Sequence, residues 1–229
     1  MPKYYPIMVD LTGRRCLVVG GGRVAERKVA LLLDCGAAVD VVSPAATPKL
    51  TALASAGAIR LAARAVRSED VFGAFMVFVA TDDAAVNRAV AAEARGAGTL
   101  VNVADAPTSC NFLVPSVVRR GDLTIAISTA GGSPALAKRL RQRLEETIGP
   151  EYELFLAALR ELRVQAHETI ADPVERQAIY RRAVGADLFD HVARGDRKAM
   201  KSCIADLLRR TVDTGGRIEA GGPSEHDCR

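Results

Sequence analysis

Apolar positions along the first hundred or so residues alternate between short continuous runs and helical spacing. Leu17-Val18-Val19 is a β-branched-rich run suited to a parallel sheet covered on both faces. It gives way to a helical pattern from Val24 to about Cys35, with Val29, Leu32 and Leu33 at core spacing and Gly36 as its stop. Val39–Ser43 reads as a second strand. A helix over about Thr47–Ala56 and a strand near Ile59–Ala62 follow. The run Ala74–Ala80 has the character of a central strand, and Thr81-Asp82-Asp83 behind it offers capping oxygens to a helix whose inner face is Val86, Val90 and Ala94. Leu100–Val103 is the next strand. This alternation predicts an α/β fold, a Rossmann-like doubly wound parallel sheet, with Tyr4–Val9 ahead of it as a short strand or arm.

Beyond Pro107 the rhythm changes. Phe112–Val118 and Leu123–Ile127 are strand-like and predict a β-hairpin; Arg120-Gly121-Asp122 is its turn, and no adhesion motif. Ser133 as N-cap and Pro134 at the first helical position open a helix with Leu136, Leu140, Leu144 and Ile148 on one face and Lys138, Arg139, Arg141 and Arg143 around the rest. Gly149-Pro150 breaks it. From Glu151 to about Arg210 the pattern is helical, divided at Pro173 and Gly195, with Leu154, Leu156, Leu159, Leu162, Val164, Ile179, Val184, Leu188, Ile204, Leu207 and Leu208 as its core. The expected organisation is a nucleotide-binding domain over 1–107, a hairpin and helix dimerisation region over 108–150, a C-terminal helical domain over 151–212, and a disordered Gly-rich tail over 213–229.

Composition narrows the function classes. Hydrophobic residues make up 49% and charged residues 25%, as in ordinary soluble globular proteins. No apolar stretch approaches the roughly 20 residues of a membrane span, and the first residues lack the apolar core of a signal peptide, so a cytoplasmic protein without a membrane partner is expected. The net charge of +4 is too diffuse, and 4% aromatics too few, to argue for nucleic acid. Five scattered cysteines (16, 35, 110, 203, 228) contain no Cys-x-x-Cys pair, which points away from a disulfide framework or zinc site; Cys16 and Cys35 read as buried hydrophobes. His167, His191 and His226 form no i, i+4 pair, and no metal site is expected.

The candidate chemistry gathers at the carboxyl ends of the predicted strands. Gly20, Gly22 and Ala25 match G-x-G-x-x-A between a strand and a helix: a tight turn, a close approach to a pyrophosphate, and close helix–strand packing. Free N–H groups at the helix start then favour the phosphates. The second strand ends in Ser43-Pro44-Ala45, with neither the acid that would hold an NAD ribose nor an arginine for NADP; Ser43 still offers a hydroxyl. Asp105, in Asp-Ala-Pro after the fifth strand, is either a proton acceptor or a turn residue capping a nearby N–H. Asp82 and Asp83 read as helix-capping and cofactor-adjacent.

Val18-Val-Gly-Gly-Gly-Arg-Val-Ala-Glu-Arg-Lys28, Ala80-Thr-Asp82, Asn102-Val-Ala-Asp-Ala-Pro107, Phe112-Leu-Val-Pro-Ser116 and Ala130-Gly-Gly-Ser-Pro-Ala-Leu-Ala137 together resemble the precorrin-2 dehydrogenase / sirohydrochlorin ferrochelatase family. The family's module is also fused within siroheme synthases, and the resemblance spans about residues 4–210. It implies oxidation of precorrin-2 to sirohydrochlorin with NAD, a homodimer joined through the hairpin and C-terminal helices, and a standalone form that leaves uroporphyrinogen methylation to another protein. It implies ferrochelation, with Fe2+ as second substrate, for only some members. The resemblance makes Asp105 the catalytic group, and Gly20, Gly22, Arg23, Val24, Ser43, Pro44, Ala45 and Thr81 the cofactor contacts. Asn102, Ser128, Thr129, Arg119, Arg120 and Lys138 stand as contacts to the polycarboxylate tetrapyrrole; guanidinium groups suit carboxylates because they bind them bidentately. Two other classes compete on the residues alone. A non-catalytic dinucleotide sensor accounts for the glycine turn but not for Asn102–Pro107. A hydroxy-acid dehydrogenase requires a catalytic His or Tyr/Lys pair that is not evident.

Overall fold

The computed structural model describes residues 3–185 and 187–209. The expected tail over 213–229, with His226 and Cys228, lies outside these residues. The chain divides into two compact units: one runs to Ser116 and includes Ser128–Ala137, the other comprises Val117–Ile127 and the chain from Lys138 onward.

In the first unit, β1 (Arg15–Val19), α1 (Arg23–Asp34), β2 (Ala38–Val42), α2 (Pro48–Ser55), β3 (Arg60–Ala62), α3 (Ser68–Val71), β4 (Met76–Val79), α4 (Ala84–Gly96) and β5 (Leu100–Val103) follow in order. The five strands pair in parallel as β3-β2-β1-β4-β5. Successive strand residues feed opposite faces. Val18, Val41 and Phe78 pack with Ala25, Val29 and Leu32 of α1, while Leu17, Val77 and Val101 pack with Val90 and Ala94 of α4. Burial on both faces is why these strands are continuous apolar runs rather than alternating ones. The doubly wound sheet is thus as the sequence predicts, and Gly36 (φ 72°) closes α1 in the left-handed conformation expected of a C-terminal stop.

Two acidic residues brace the sheet and the segment that follows β3. Asp40 accepts hydrogen bonds from Arg15 Nε at 2.7 Å and Arg60 Nε at 2.6 Å, linking three adjacent strands. Asp70, 8% exposed, accepts two bonds from Arg64, at 2.7 and 2.8 Å, and one from the Arg67 N–H at 2.8 Å. The Arg64 guanidinium holds the Asp70 carboxyl below the usual carboxylate range. The short α3 that carries Asp70 has no periodic signature in the sequence, because four residues are too few to show one.

Two expectations change. Phe112–Val118 is not one strand: β6 covers Ser116–Arg120. The residues before it run beside β5, held by one backbone bond, Asn111 N–H to the Val101 carbonyl at 3.1 Å, and otherwise by side chains rather than a continuous ladder. Asn111 accepts from Val101 N–H at 2.7 Å and donates to the Thr99 carbonyl at 2.9 Å, and Phe112 meets Phe78 edge-on with ring centroids 5.6 Å apart. Pro115, with no N–H to give, sits where the strand would otherwise continue. Tyr4–Val9 forms no strand and stays exposed, with Tyr5 at 87%.

In the second unit, β6 and β7 (Leu123–Ile127) form the hairpin, with Gly121 (φ 57°) in its turn. The helix α5 (Pro134–Thr147) begins in the first unit and continues into the second; Ser133 Oγ accepts from Leu136 N–H at 3.2 Å, the N-cap the sequence predicts. The remaining helices are α6 (Glu151–Thr169), α7 (Pro173–Gly185), α8 (Leu188–Ala193) and α9 (Arg197–Arg209). Their core is Phe155, Ala158, Leu162, Ile179, Leu188 and Ile204 with their neighbours. Leu154, Val164 and Val184, expected inside, are exposed. The buried stripe of α6 is Phe155-Ala158-Leu162-Ala166, and Leu154 and Val164 lie off that line.

Candidate functional site

A sheet of this order opens a crevice where its winding reverses, between the loops after β1 and β4. The cleft found there has a volume of about 910 Å3 and is walled by the β1–α1 glycines, the β2–α2 loop, the segment after β3 and the β4–α4 loop.

The three glycines have three different reasons to be there. Gly20 has φ 117°, and a Cβ on it would stand 2.2 Å from the Ala80 carbonyl oxygen, so only glycine lets the β1 and β4 exits pass this closely. A Cβ on Gly21 would stand 2.0 Å from the Ala45 carbonyl oxygen; the middle glycine, unassigned by the sequence motif, is needed to seat the β2–α2 loop. Gly22 is the N-cap of α1 in ordinary extended backbone (φ −85°, ψ −173°), and nothing lies within 4 Å of where its Cβ would be. The space over Gly22 is therefore not taken by the protein. It faces a helix start that no side chain caps. Such a start presents N–H groups and the positive dipole end to an anion. Arg23, beside it, is exposed and makes no ion pair among the described residues.

All eight residues expected to hold the cofactor, Gly20, Gly22, Arg23, Val24, Ser43, Pro44, Ala45 and Thr81, line this cleft. Ser43 is 8% exposed and its hydroxyl donates to the Ala45 carbonyl at 2.7 Å, leaving its oxygen as an acceptor. Thr81, two residues before the N-cap of α4, is held against the helix start: its Oγ1 donates to Asn87 Oδ1 at 2.6 Å and accepts from Asp83 N–H at 3.2 Å. Asp83 caps α4 through Ala85 and Val86 N–H groups, as expected. Ala65, Val66 and Thr47 complete the wall; the sequence pattern missed them because Ala65-Val66 lies in an irregular segment, fixed from behind by the Arg64–Asp70 pair. The apolar surface of Val42, Ala65 and Val66 suits a flat ring, and the open helix start suits a pyrophosphate. The residues fit a dinucleotide.

Asp105 lies on the same edge of the sheet but does not line the cleft. Ala104 N–H donates to the Val79 carbonyl at 2.8 Å, so the β4–β5 pairing continues to the residue before it. Asp105 itself is exposed with φ 56°, in the left-handed region that few residues other than glycine adopt. Its carboxylate makes no hydrogen bond or ion pair among the described residues, so it does not cap a turn N–H. Asn102, by contrast, is half-buried and donates to the Phe112 carbonyl at 3.2 Å. Lys28 is on the same face: its ammonium stands 5.2 Å from the Phe78 ring centroid, and burial lowers its pKa.

The other expected substrate contacts belong to both units. Ser128 and Thr129 belong to the first unit, where Ser128 Oγ accepts from Ala130 N–H at 3.1 Å and Thr129 Oγ1 accepts from Ser133 N–H at 3.1 Å. Arg119, Arg120 and Lys138 belong to the second unit, and Arg119 and Lys138 are exposed. The Arg120 guanidinium is committed to the carbonyls of Ile148 (2.8 Å), Glu145 (3.0 Å) and Arg119 (2.8 Å), where it satisfies the end of α5. Among the described residues no group of three or more His, Cys, Asp or Glu side chains is placed to hold a metal. Cys16 is fully buried, and burial pushes its thiol up to about 11; Cys35 is only half-buried.

Fold and cleft together define an α/β protein with a dinucleotide-type crevice. Comparison with known proteins narrows the class. A family profile described as putative NAD(P)-binding matches residues 7–116, and one described as the central part of sirohaem biosynthesis proteins matches residues 120–147. The chain is 38% identical over 225 residues to a siroheme synthase of Methylobacillus flagellatus, covering 97% of this chain and 48% of that protein. It is 40% identical over 206 residues to siroheme synthase 1 of Aeromonas salmonicida, covering 90% and 44%. The chain thus spans about half the length of the curated relatives it matches. The solved structure of SirC, a precorrin-2 dehydrogenase, superposes with a TM-score of 0.76 at 30% identity, covering 90% of this chain and all of that one. The chain belongs to the precorrin-2 dehydrogenase family of siroheme biosynthesis.

Proposed function

We propose that this chain oxidises precorrin-2 to sirohydrochlorin with NAD, in the cytoplasm. The observation that carries the proposal is the pair of unfilled features on one sheet edge: the open space over Gly22 at the uncapped start of α1, and the unbonded carboxylate of Asp105. When bound, NAD supplies the hydride acceptor. The oxidation also releases a proton, and Asp105 is the group that takes it. Gly20, Gly22, Arg23, Val24, Ser43, Pro44, Ala45 and Thr81 hold the cofactor. Arg119 and Lys138 are offered to the substrate carboxylates, with Asn102, Ser128 and Thr129 as polar neighbours. Arg120 is left out of this set because three carbonyls already use its donors.

The test is anaerobic. Purified protein, enzymatically generated precorrin-2 and NAD+ are expected to give NADH and the sirohydrochlorin spectrum in equal amounts. Absence of NADH from folded protein with measured NAD binding would replace this proposal by the sensor. Fe2+ added afterwards, as substrate, extends the activity to chelation if siroheme forms above the no-enzyme rate.

The proposal includes a homodimer. Leu136 and Leu140 on α5 are 49% and 38% exposed and are followed at the same spacing by half-buried Leu144 and Ile148, an apolar stripe that a single copy covers only in part. Leu140→Glu is expected to convert the dimer to monomer in light scattering; a dimer of unchanged stability would remove α5 from the interface.

A further inference from the structure

The second unit carries a groove of about 710 Å3 between α6 and α7 that the proposed reaction does not use. Its wall includes Arg163 and His167 from α6 and Arg176, Tyr180, Arg181 and Val184 from α7, and no carboxylate. Among the described residues Arg163, Arg176 and Arg181 form no ion pair. One nitrogen of Arg176 serves the Ile170 and Ala171 carbonyls, at 2.7 and 2.8 Å. The exposed Arg163 guanidinium stands over the Tyr180 ring, 5.3 Å from its centroid. The Tyr180 hydroxyl is buried and has no hydrogen-bond partner. A buried hydroxyl without a partner is uncommon and calls for an explanation such as an ion or ligand. Three guanidinium groups without ion-pair partners line the same groove and specify the sign of that ligand.

We propose that this groove binds a small organic polyanion bearing carboxylates or phosphates, at a site in a different unit from the dinucleotide cleft. The volume lies within the range of small-molecule sites, well above what a single water or halide requires. Guanidinium groups pair with planar carboxylates and with phosphates through two parallel hydrogen bonds. Arg163 is exposed and rests on the Tyr180 ring. In the proposed complex an oxyanion pairs with that guanidinium and accepts from the Tyr180 hydroxyl, which gives the buried group its missing partner.

The full chain, saturated with NAD so that the glycine turn is filled, is labelled with 3-fluorotyrosine and titrated separately with citrate, inorganic phosphate and sodium chloride at equal ionic strength. It has four tyrosines, and the Tyr180 signal is identified by its loss in Tyr180→Phe. Citrate or phosphate is expected to shift that signal saturably with a Kd below about 1 mM, while chloride does not. Tighter citrate assigns a polycarboxylate, and tighter phosphate a phosphate ester. Arg163→Gln with Arg181→Gln is expected to weaken binding at least about tenfold with NAD affinity unchanged. Tyr180→Phe, followed by calorimetry, is expected to weaken it about threefold to tenfold while leaving thermal stability equal or higher, since it deletes an unpaired group. A purely structural tyrosine would not combine those two results. A shift that chloride reproduces, or that survives the double arginine variant, overturns the proposal. Because the readout is binding in the second unit, it stands whether or not the protein oxidises precorrin-2.

Discussion

Asp105→Asn is expected to bind NAD as the parent does and to lose at least about 10²-fold in dehydrogenation, about 2.7 kcal/mol of transition-state stabilisation. The asparagine is the informative replacement because it keeps the side-chain shape and tolerates left-handed backbone, which this position holds at φ 56°. It removes only the ability to accept a proton as a carboxylate. Asp105→Ala removes the same group but puts at this φ a residue that adopts left-handed backbone less readily than aspartate or asparagine, at an added cost of up to about 1 kcal/mol. Comparable activity losses in the two variants, with the smaller change in melting temperature for asparagine, would identify the carboxylate rather than the turn as the cause. The measurement is single-turnover NADH formation with precorrin-2, beside NAD affinity by calorimetry. Parental rates in Asp105→Asn would assign the proton to another base. Asp105 does not line the cleft, so unchanged cofactor affinity is part of the expectation.

The sequence was most legible where burial and period agree. Strands such as Leu17–Val19 and Met76–Val79 are covered on both faces, and a continuous β-branched run between helical repeats has few other homes in a fold. The site's place was legible for a related reason: alternating strands and helices make the strands parallel, and parallel strands put all their carboxyl ends on one edge. The strand order, and with it the point where the winding reverses, came only from the structure. What escaped was set by side chains substituting for backbone. Phe112–Val118 has strand composition, yet Asn111 bonds to β5 through its amide and Pro115 offers no N–H, so pairing begins only at Ser116. Arg120 looked like a ligand group because arginine's donors are indifferent to whose oxygens they meet; the carbonyls ending α5 took them. In the helical unit, leucine was given more weight than alanine. Ala158 and Ala166 are buried in α6 while Leu154 and Val164 are exposed, since the stripe is fixed by angle around the helix and not by side-chain size. Gly21 was hidden inside its own motif, between two glycines with familiar roles.

Those three glycines should separate stability from binding. Gly20→Ala is expected to cost about 3 kcal/mol or more, lowering the melting temperature by about 6–12 °C for a chain of this size. The strain of a Cβ at φ 117° adds to a 2.2 Å approach to the Ala80 carbonyl, a backbone atom that cannot swing aside. Gly22→Asp should behave in the opposite way. Its backbone is extended and its Cβ meets nothing, so folding is untouched. Aspartate is also a better N-cap than glycine and favours the positive end of α1, which adds a few tenths of a kcal/mol. The same carboxylate then occupies the space proposed for the pyrophosphate and repels it. NAD affinity is therefore expected to fall at least about 10²-fold in a protein that melts no lower than the parent. Gly22→Ala, which adds bulk without charge, should fall between the two. If Gly22→Asp binds NAD with parental affinity, the dinucleotide does not cross this turn. If it also loses stability, the open space over α1 serves the fold and not a ligand.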